Sequence, residues 1–197
     1  MSNRHMGYLL EKLFESPAKV RVLRLFVRNP EETFSFPDIA KRTQVKRETT
    51  RKELGKLIKI GLIKRKVVKK IRIYFTNSEF RLLSELQNLI IKDAVAPRKE
   101  LLAKAKRLGN VKLIILSGVF INSDQSRTDM LIVGDGVKKS KLEKFLADIE
   151  SELGRPLRYT VMDSNEFKYR KNMYDRFLRD IFESPHEKLI NKMKVQA

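Results

Sequence analysis

The chain has 197 residues, 42% hydrophobic and 34% charged, with 43 Lys or Arg against 24 Asp or Glu for a formal charge of +19; this predicts one or two domains with real cores and a polyanionic partner. It contains no cysteine, and its two histidines, His5 and His186, stand far apart, which excludes disulfides, Cys-type zinc sites and thiol catalysis and argues against a His-rich metal site. No apolar run reaches the length of a membrane span and the N-terminus lacks the apolar core of a signal peptide, so a cytoplasmic protein without membrane association is expected.

The charge is uneven. Residues 1–100 hold 24 basic and 11 acidic residues, and residues 101–197 hold 19 and 13. The two halves are therefore expected to do different work. Within the first, residues 41–72 carry fourteen Lys or Arg against only Glu48 and Glu53, a net of +12.

In chain order, SPAKVRVLRLFVRNP predicts a helix. Ser16 is its N-cap, Pro17 takes the first helical position, Val20, Leu23, Leu25, Phe26 and Val27 form its apolar face, and Asn29-Pro30 ends it. FSFPDIAKRTQ predicts a short helix starting at Ser35 or Pro37, with Ile39 and Ala40 facing inward. Thr43-Gln44-Val45 is the turn. A third helix runs from about Lys46 to Ile60, with Thr50, Leu54, Leu57, Ile58 and Ile60 near its buried face, and Gly61 stops it. Leu62-Ile63 opens a strand, Val67-Val68 continues it, and Ile71 to Phe75 returns, which places Lys69-Lys70 at the tip of a hairpin. The strands are expected to hold their apolar residues against the helices.

Three such helices with a tight turn form a helix-turn-helix, and the basic hairpin makes it winged. The exposed start of the third helix is the candidate groove reader. Lys46, Arg47, Thr49, Arg51 and Lys52 are its members, with Thr50 counted among them although it lies near the buried face. Arg47 or Arg51 matches the O6 and N7 acceptors of guanine. Lys52 and Lys56 suit phosphate, as do Lys64, Arg65, Lys66, Lys69, Lys70 and Arg72 of the hairpin. Residues 12–76 resemble the winged helix-turn-helix of ArsR/MarR-type transcriptional regulators, on the pattern xxDIAKRTxV, recognition helix, GLIKR and basic wing. The resemblance implies a regulator of double-stranded DNA.

SEFRLLSELQNLIIKD, residues 78–93, predicts a helix capped by Ser78, with helical spacing of Phe80, Leu82, Leu83, Leu86, Leu89, Ile90 and Ile91. It is a candidate for homodimer formation. Pro97 restarts a helix that Gly109 ends.

VKLIILSGVF then predicts a buried strand running into a Ser-Gly turn. TDMLIVGD is a second strand, and KSKLEKFLADIESELG an amphipathic helix. RPLRYTVMD is a third strand, and the remainder through Ile190 reads as mostly helical. This order resembles the minimal nucleotidyltransferase domain of the polymerase-beta-like superfamily. Its signature is a strand ending in Gly-Ser, a spacer, then Asp-x-Asp on one face of a strand to bind Mg²⁺. Gly118 matches the turn glycine, but Val119 stands at the serine. Asp129 matches the first carboxylate, but Leu131 stands at the second, and the third strand offers no acid. Arg158 is expected to bring positive charge nearby. Asp124 and Asp135 are the remaining acids, both expected in loops.

The reading is an α+β chain. It comprises a winged helix-turn-helix over 8–76, a linker and possible dimerisation helix over 77–96, and a degenerate, small α/β nucleotidyltransferase-like domain over 97–197. No catalytic residue, metal or cofactor is expected. The last domain is left to bind a nucleotide or protein or to support a dimer. The alternative is an active metal-dependent nucleotidyltransferase of toxin–antitoxin type.

Overall fold

A computed structural model describes residues 9–93, 98–121, 123 and 126–196. Tyr8, where the first domain was expected to begin, lies outside these residues, as do His5, Pro97 and Asp124. The fold is α+β and divides into two compact units, one of residues 1–94 with 147–156, the other of residues 95–146 with 157–197.

The first unit opens with α1 (Leu9–Leu13) and α2 (Pro17–Arg28). Ser16 caps α2, its hydroxyl accepting the Lys19 N–H at 3.1 Å. Such a cap contributes about 1 kcal/mol. α2 is the unit's central pillar, with Val20, Val22, Leu23, Leu25, Phe26 and Val27 all buried. Phe26 meets Phe34 edge to face at 5.2 Å. Arg24 is buried with them and bridges the Asp93 carboxylate at 2.5 Å and the Glu152 carbonyl at 2.7 Å.

Strand β1 (Thr33–Ser35) precedes α3 (Phe36–Thr43). The sequence predicts no strand there. Phe34 enters one because it pairs with Tyr74 across the sheet, a partner forty residues away. Ser35 and Asp38 form a capping box at the start of α3. Thr43 is the last helical residue, so the turn begins one residue later than expected. It begins at Gln44, in left-handed conformation with φ 54°. Helix α4 (Arg47–Lys59) follows, and Gly61, with φ 81°, lets the chain leave it.

Strands β2 (Ile63–Val68) and β3 (Ile71–Thr76) form the expected hairpin, in a sheet ordered β1-β3-β2. Only its base is held against the helices: Ile63, Tyr74 and Thr76 are buried, while Val67, Val68 and Ile71 are exposed. The expectation that every apolar residue of the hairpin packs inward is therefore corrected. The two strands extend past the helices that would cover them.

Helix α5 (Leu83–Asp93) starts five residues after Ser78, which is not its cap. Asn77 holds that stretch in a turn instead, bonding the Gly61 carbonyl at 2.9 Å and accepting the Glu79 N–H at 3.2 Å. α5 belongs to the first unit: Ile90 is fully buried, Leu83 and Leu86 pack on the same core, and Gln87 bonds the Val27 carbonyl.

The second unit begins its described part with α6 (Arg98–Ala105) and a short 3₁₀ turn, and continues with β4 (Asn110–Leu116) and β5 (Met130–Asp135). After α7 (Lys139–Leu153), whose residues from 147 onward belong to the first unit, come β6 (Tyr159–Met162), α8 (Ser164–Asn172), α9 (Arg176–Glu183) and β7 (Glu187–Asn191). The sheet order is β6-β5-β4-β7, with β5 and β6 parallel and the other pairs antiparallel. β7 corrects the helical expectation for the chain's end. Residues 187–191 become a strand because β4 offers them a free edge. The core joins Leu113, Ile115, Leu131 and Val133 of the sheet to Phe167, Leu178 and Ile181 of the helices.

Candidate nucleic-acid interface

Helix α4 has two faces. Thr50, Glu53, Leu54 and Leu57 are buried, whereas Arg47, Arg51, Lys52, Lys56 and Lys59 are exposed. By helical spacing Arg47 and Arg51 form one row and Lys52, Lys56 and Lys59 a second beside it, so the whole solvent side of the helix is cationic. Lys46 precedes the helix and makes no side-chain cap, which leaves first-turn N–H groups to water or an anion. Glu48 is the one acid on this face.

Arg47 and Arg51, one helical turn apart, both lie over the ring of Phe36, at 5.6 and 5.4 Å from its centroid. The ring attracts each guanidinium by its quadrupole and limits where it can swing. Phe36 is thus a positioning residue. Local sequence does not announce it, since its partners lie across the turn.

The hairpin completes the surface. Alternation puts Arg65 of β2 and Arg72 of β3 on the same face as the buried Ile63 and Tyr74, the face turned toward α4. Arg51, Arg65 and Arg72 together line a concave space of about 430 Å³ between helix and hairpin. Phe36, Leu54, Gly55, Ile58 and Tyr74 complete its lining. Gly55 adds no side chain, which keeps that part of the helix flush. Lys64 and Lys66 occupy the opposite face of the hairpin. There Lys64 pairs with Glu79 at 3.0 Å, a bond that holds the Glu79 carboxyl below its usual range, and Lys66 sits over Phe75 at 5.3 Å. Lys69 and Lys70 form the tip, both with positive φ.

The structure therefore brings Arg51, Arg65 and Arg72 around one groove, with Arg47 beside it on the Phe36 ring, while Lys46 and Lys52 are exposed on α4 and its N-cap and Lys69 and Lys70 at the hairpin turn. Thr49 is half-buried on the same helix. One candidate is corrected. Thr50 is fully buried and its hydroxyl donates to the carbonyls of Lys46 and Val45, so it secures the turn and has nothing to offer a ligand. Lys56 remains exposed and bridges the buried Glu53 at 2.9 Å.

The second unit holds the remaining candidates. Gly118 starts a 3₁₀ turn with φ 53°, and a Cβ there would stand 2.1 Å from an Asp129 carboxylate oxygen. Asp129 is fully buried just before β5. One of its oxygens accepts the Val119 N–H at 3.0 Å and Arg158 Nη2 at 3.1 Å. The other accepts the Arg158 N–H at 3.0 Å and its Nε at 3.2 Å. Burial raises this carboxyl, but the Arg158 guanidinium and the Val119 and Arg158 N–H groups outweigh it and hold it below the usual range. The guanidinium thus engages both oxygens of the carboxylate. Leu131, two residues on and so on the same strand face, is fully buried in the core.

Asp135 is the last residue of β5, not a loop residue. Lys112 holds it at 2.5 Å and Ser164 donates to it through both backbone and hydroxyl. These bonds lower its carboxyl to about 2. Among the described residues no group of three or more His, Asp or Glu is placed to hold a metal ion, and no helix is long and apolar enough to cross a membrane.

Compared with family models, with curated proteins and with solved structures, the chain matches none.

Proposed function

We propose that this chain is a winged helix-turn-helix regulator that binds double-stranded DNA through α4 and the β2–β3 hairpin. In this reading α4 is the recognition helix and the hairpin is the wing. The observation that carries it is the groove between them, lined by Arg51, Arg65 and Arg72 on two separate elements. A solvated lysine-rich surface has no need of such convergence, whereas a duplex presents two phosphate rows and a groove to be straddled. Arg47 and Arg51 serve as guanine readers, oriented by Phe36. Glu48 is suited to accept from a cytosine amino group. Lys52, Lys69, Lys70 and Arg72 take phosphate.

In the same reading the second unit is a nucleotidyltransferase-like domain without catalysis, kept for a nucleotide, a protein or a dimer contact. Support comes from Asp129, whose two oxygens both engage Arg158, and from Leu131 in the core. A fold of this kind does not carry its usual chemistry unless its site does. A homodimer belongs to the proposal as well. The exposed Leu82, Leu89 and Ile91 on and beside α5 support it.

The test is fluorescence anisotropy against genomic duplexes enriched by selection with the purified protein. Arg47→Ala with Arg51→Ala should remove the preference for selected over random duplex, a loss of about 10-fold or more at two bidentate contacts worth roughly 1–3 kcal/mol each. Retained preference would refute α4 as the reader. Incubation with labelled nucleotides and Mg²⁺ or Mn²⁺ tests the second unit, where incorporation abolished by Asp129→Ala would overturn the non-catalytic reading.

A further inference from the structure

The tip of the β2–β3 hairpin is chemically unlike the rest of the basic surface. Val67 is 67% exposed, Val68 42% and Ile71 57%. Residues 63–76 contain Lys64, Arg65, Lys66, Lys69, Lys70 and Arg72 and no acidic residue. Val68 and Ile71 are directly paired across the strands and flank the two-residue turn. The result is a narrow projection whose turn carries two lysines and whose last strand positions carry aliphatic side chains, Val68 and Ile71 on one face and Val67 with Arg72 on the other. Both faces of the projection therefore present aliphatic carbon next to cations.

The turn adds a second observation. Lys69 and Lys70 have φ of 47° and 66°, the paired left-handed conformation of a type I′ turn. Asn-Gly would adopt it readily and lysine does not. The chain thus accepts backbone strain at a position where only charge is gained, which marks the tip as a working surface.

We infer that this tip is a wedge for the minor groove of duplex DNA and that it bends the duplex it enters. The inference rests on the DNA-binding reading and deepens it. Charge complementarity selects the occupant: the cations flanking the tip match the phosphate rows that border a minor groove. Val67, Val68 and Ile71 match the apolar sugar walls and the faces of a partly unstacked base step. Aliphatic insertion of this kind opens a step and kinks DNA toward the major groove, by on the order of 20–90°. Flexible TA and CA steps yield most readily.

The experiment uses the full chain and an end-labelled duplex of about 40 base pairs with central TA and CA steps, read by anisotropy for binding and by energy transfer for end-to-end distance. Wild-type protein should bind and shorten the distance. The variant Val67→Thr, Val68→Thr, Ile71→Thr keeps β-branching and every charge. It should bind within about threefold while the shortening disappears, because phosphate contacts supply most of the affinity. Binding without shortening by the wild type overturns the wedge and leaves the DNA-binding reading standing. So does equal shortening by the variant. Failure to bind the duplex at all overturns both. Binding to phosphatidylserine vesicles that the variant abolishes, with DNA bending unchanged, assigns the aliphatic tip to a lipid surface and also overturns the wedge.

Discussion

Arg51, Arg65 and Arg72 owe their effect to where their backbones hold them. A lone surface arginine is well hydrated and its field is screened within about 8 Å at physiological salt. Three around one concavity reinforce each other, and the aromatic rings of Phe36 and Tyr74 leave less water to screen them. Asp135 shows the same dependence on placement in the second unit. Its carboxyl is lowered to about 2, first by the Lys112 ammonium and then by Ser164. An unfolded Asp titrates near about 3.9. A depressed carboxyl stabilises the fold above the unfolded value, and the contribution drains away as pH falls through the folded one. Thermal unfolding followed from pH 5 to pH 2 should therefore show a falling midpoint in the wild type. In Asp135→Asn the midpoint should start lower at neutral pH and fall less steeply across that window. Parallel curves for the two proteins would remove Asp135 as a source of acid sensitivity.

At the scale of elements, the hairpin trades stability for charge. Two non-glycine residues in left-handed conformation cost roughly 1–2 kcal/mol each, and Lys69 and Lys70 both adopt it. Replacing them by Asn and Gly keeps the turn type and relieves the strain. Lys69→Asn with Lys70→Gly should raise the unfolding free energy by about 1 kcal/mol or more in urea denaturation, while duplex affinity falls with the loss of two cations. A variant that is both less stable and equally tight in binding would contradict this account of the tip. Helix α3 shows the opposite balance. Its capping box of Ser35 and Asp38 and its Pro37 agree with the helix they open, and only its exit at Gln44, with φ 54°, takes a left-handed conformation.

For the molecule as a whole, the formal +19 makes association with any polyanion salt-dependent. The informative quantity is the slope. Each phosphate neutralised contributes about −0.9 to the dependence of log K on log salt for B-form DNA. Arg65→Ala with Arg72→Ala should reduce that slope by about 2 in anisotropy titrations between 50 and 200 mM salt, whereas Lys139→Ala with Lys144→Ala, on α7, should leave it unchanged. Equal reductions from both pairs would mean that diffuse net charge, and not the groove, governs binding.

Caps, stops and periodicity were legible without a structure. Ser16 and Pro17 opened α2, Gly61 closed α4, and the register of the hairpin placed Lys69-Lys70 at its tip. These features are local, since a cap or turn depends on residues three or four apart. The amphipathic pattern of α4 likewise named Arg47 and Arg51. What the chain alone did not disclose rests on distant partners. β1 forms because Tyr74 pairs with Phe34, and β7 because β4 has an open edge. Phe36 lies beneath two arginines from another helix. The Arg158 guanidinium meets Asp129 because parallel strands put residues 129 and 158 side by side. The sequence by itself determined α2, α3, α4, the hairpin and the concentration of charge, all products of short-range spacing. Only the tertiary structure decided which charges share a groove, which carboxylate is occupied and which aliphatic side chains are left facing water, because each depends on backbones that approach one another across tens of residues.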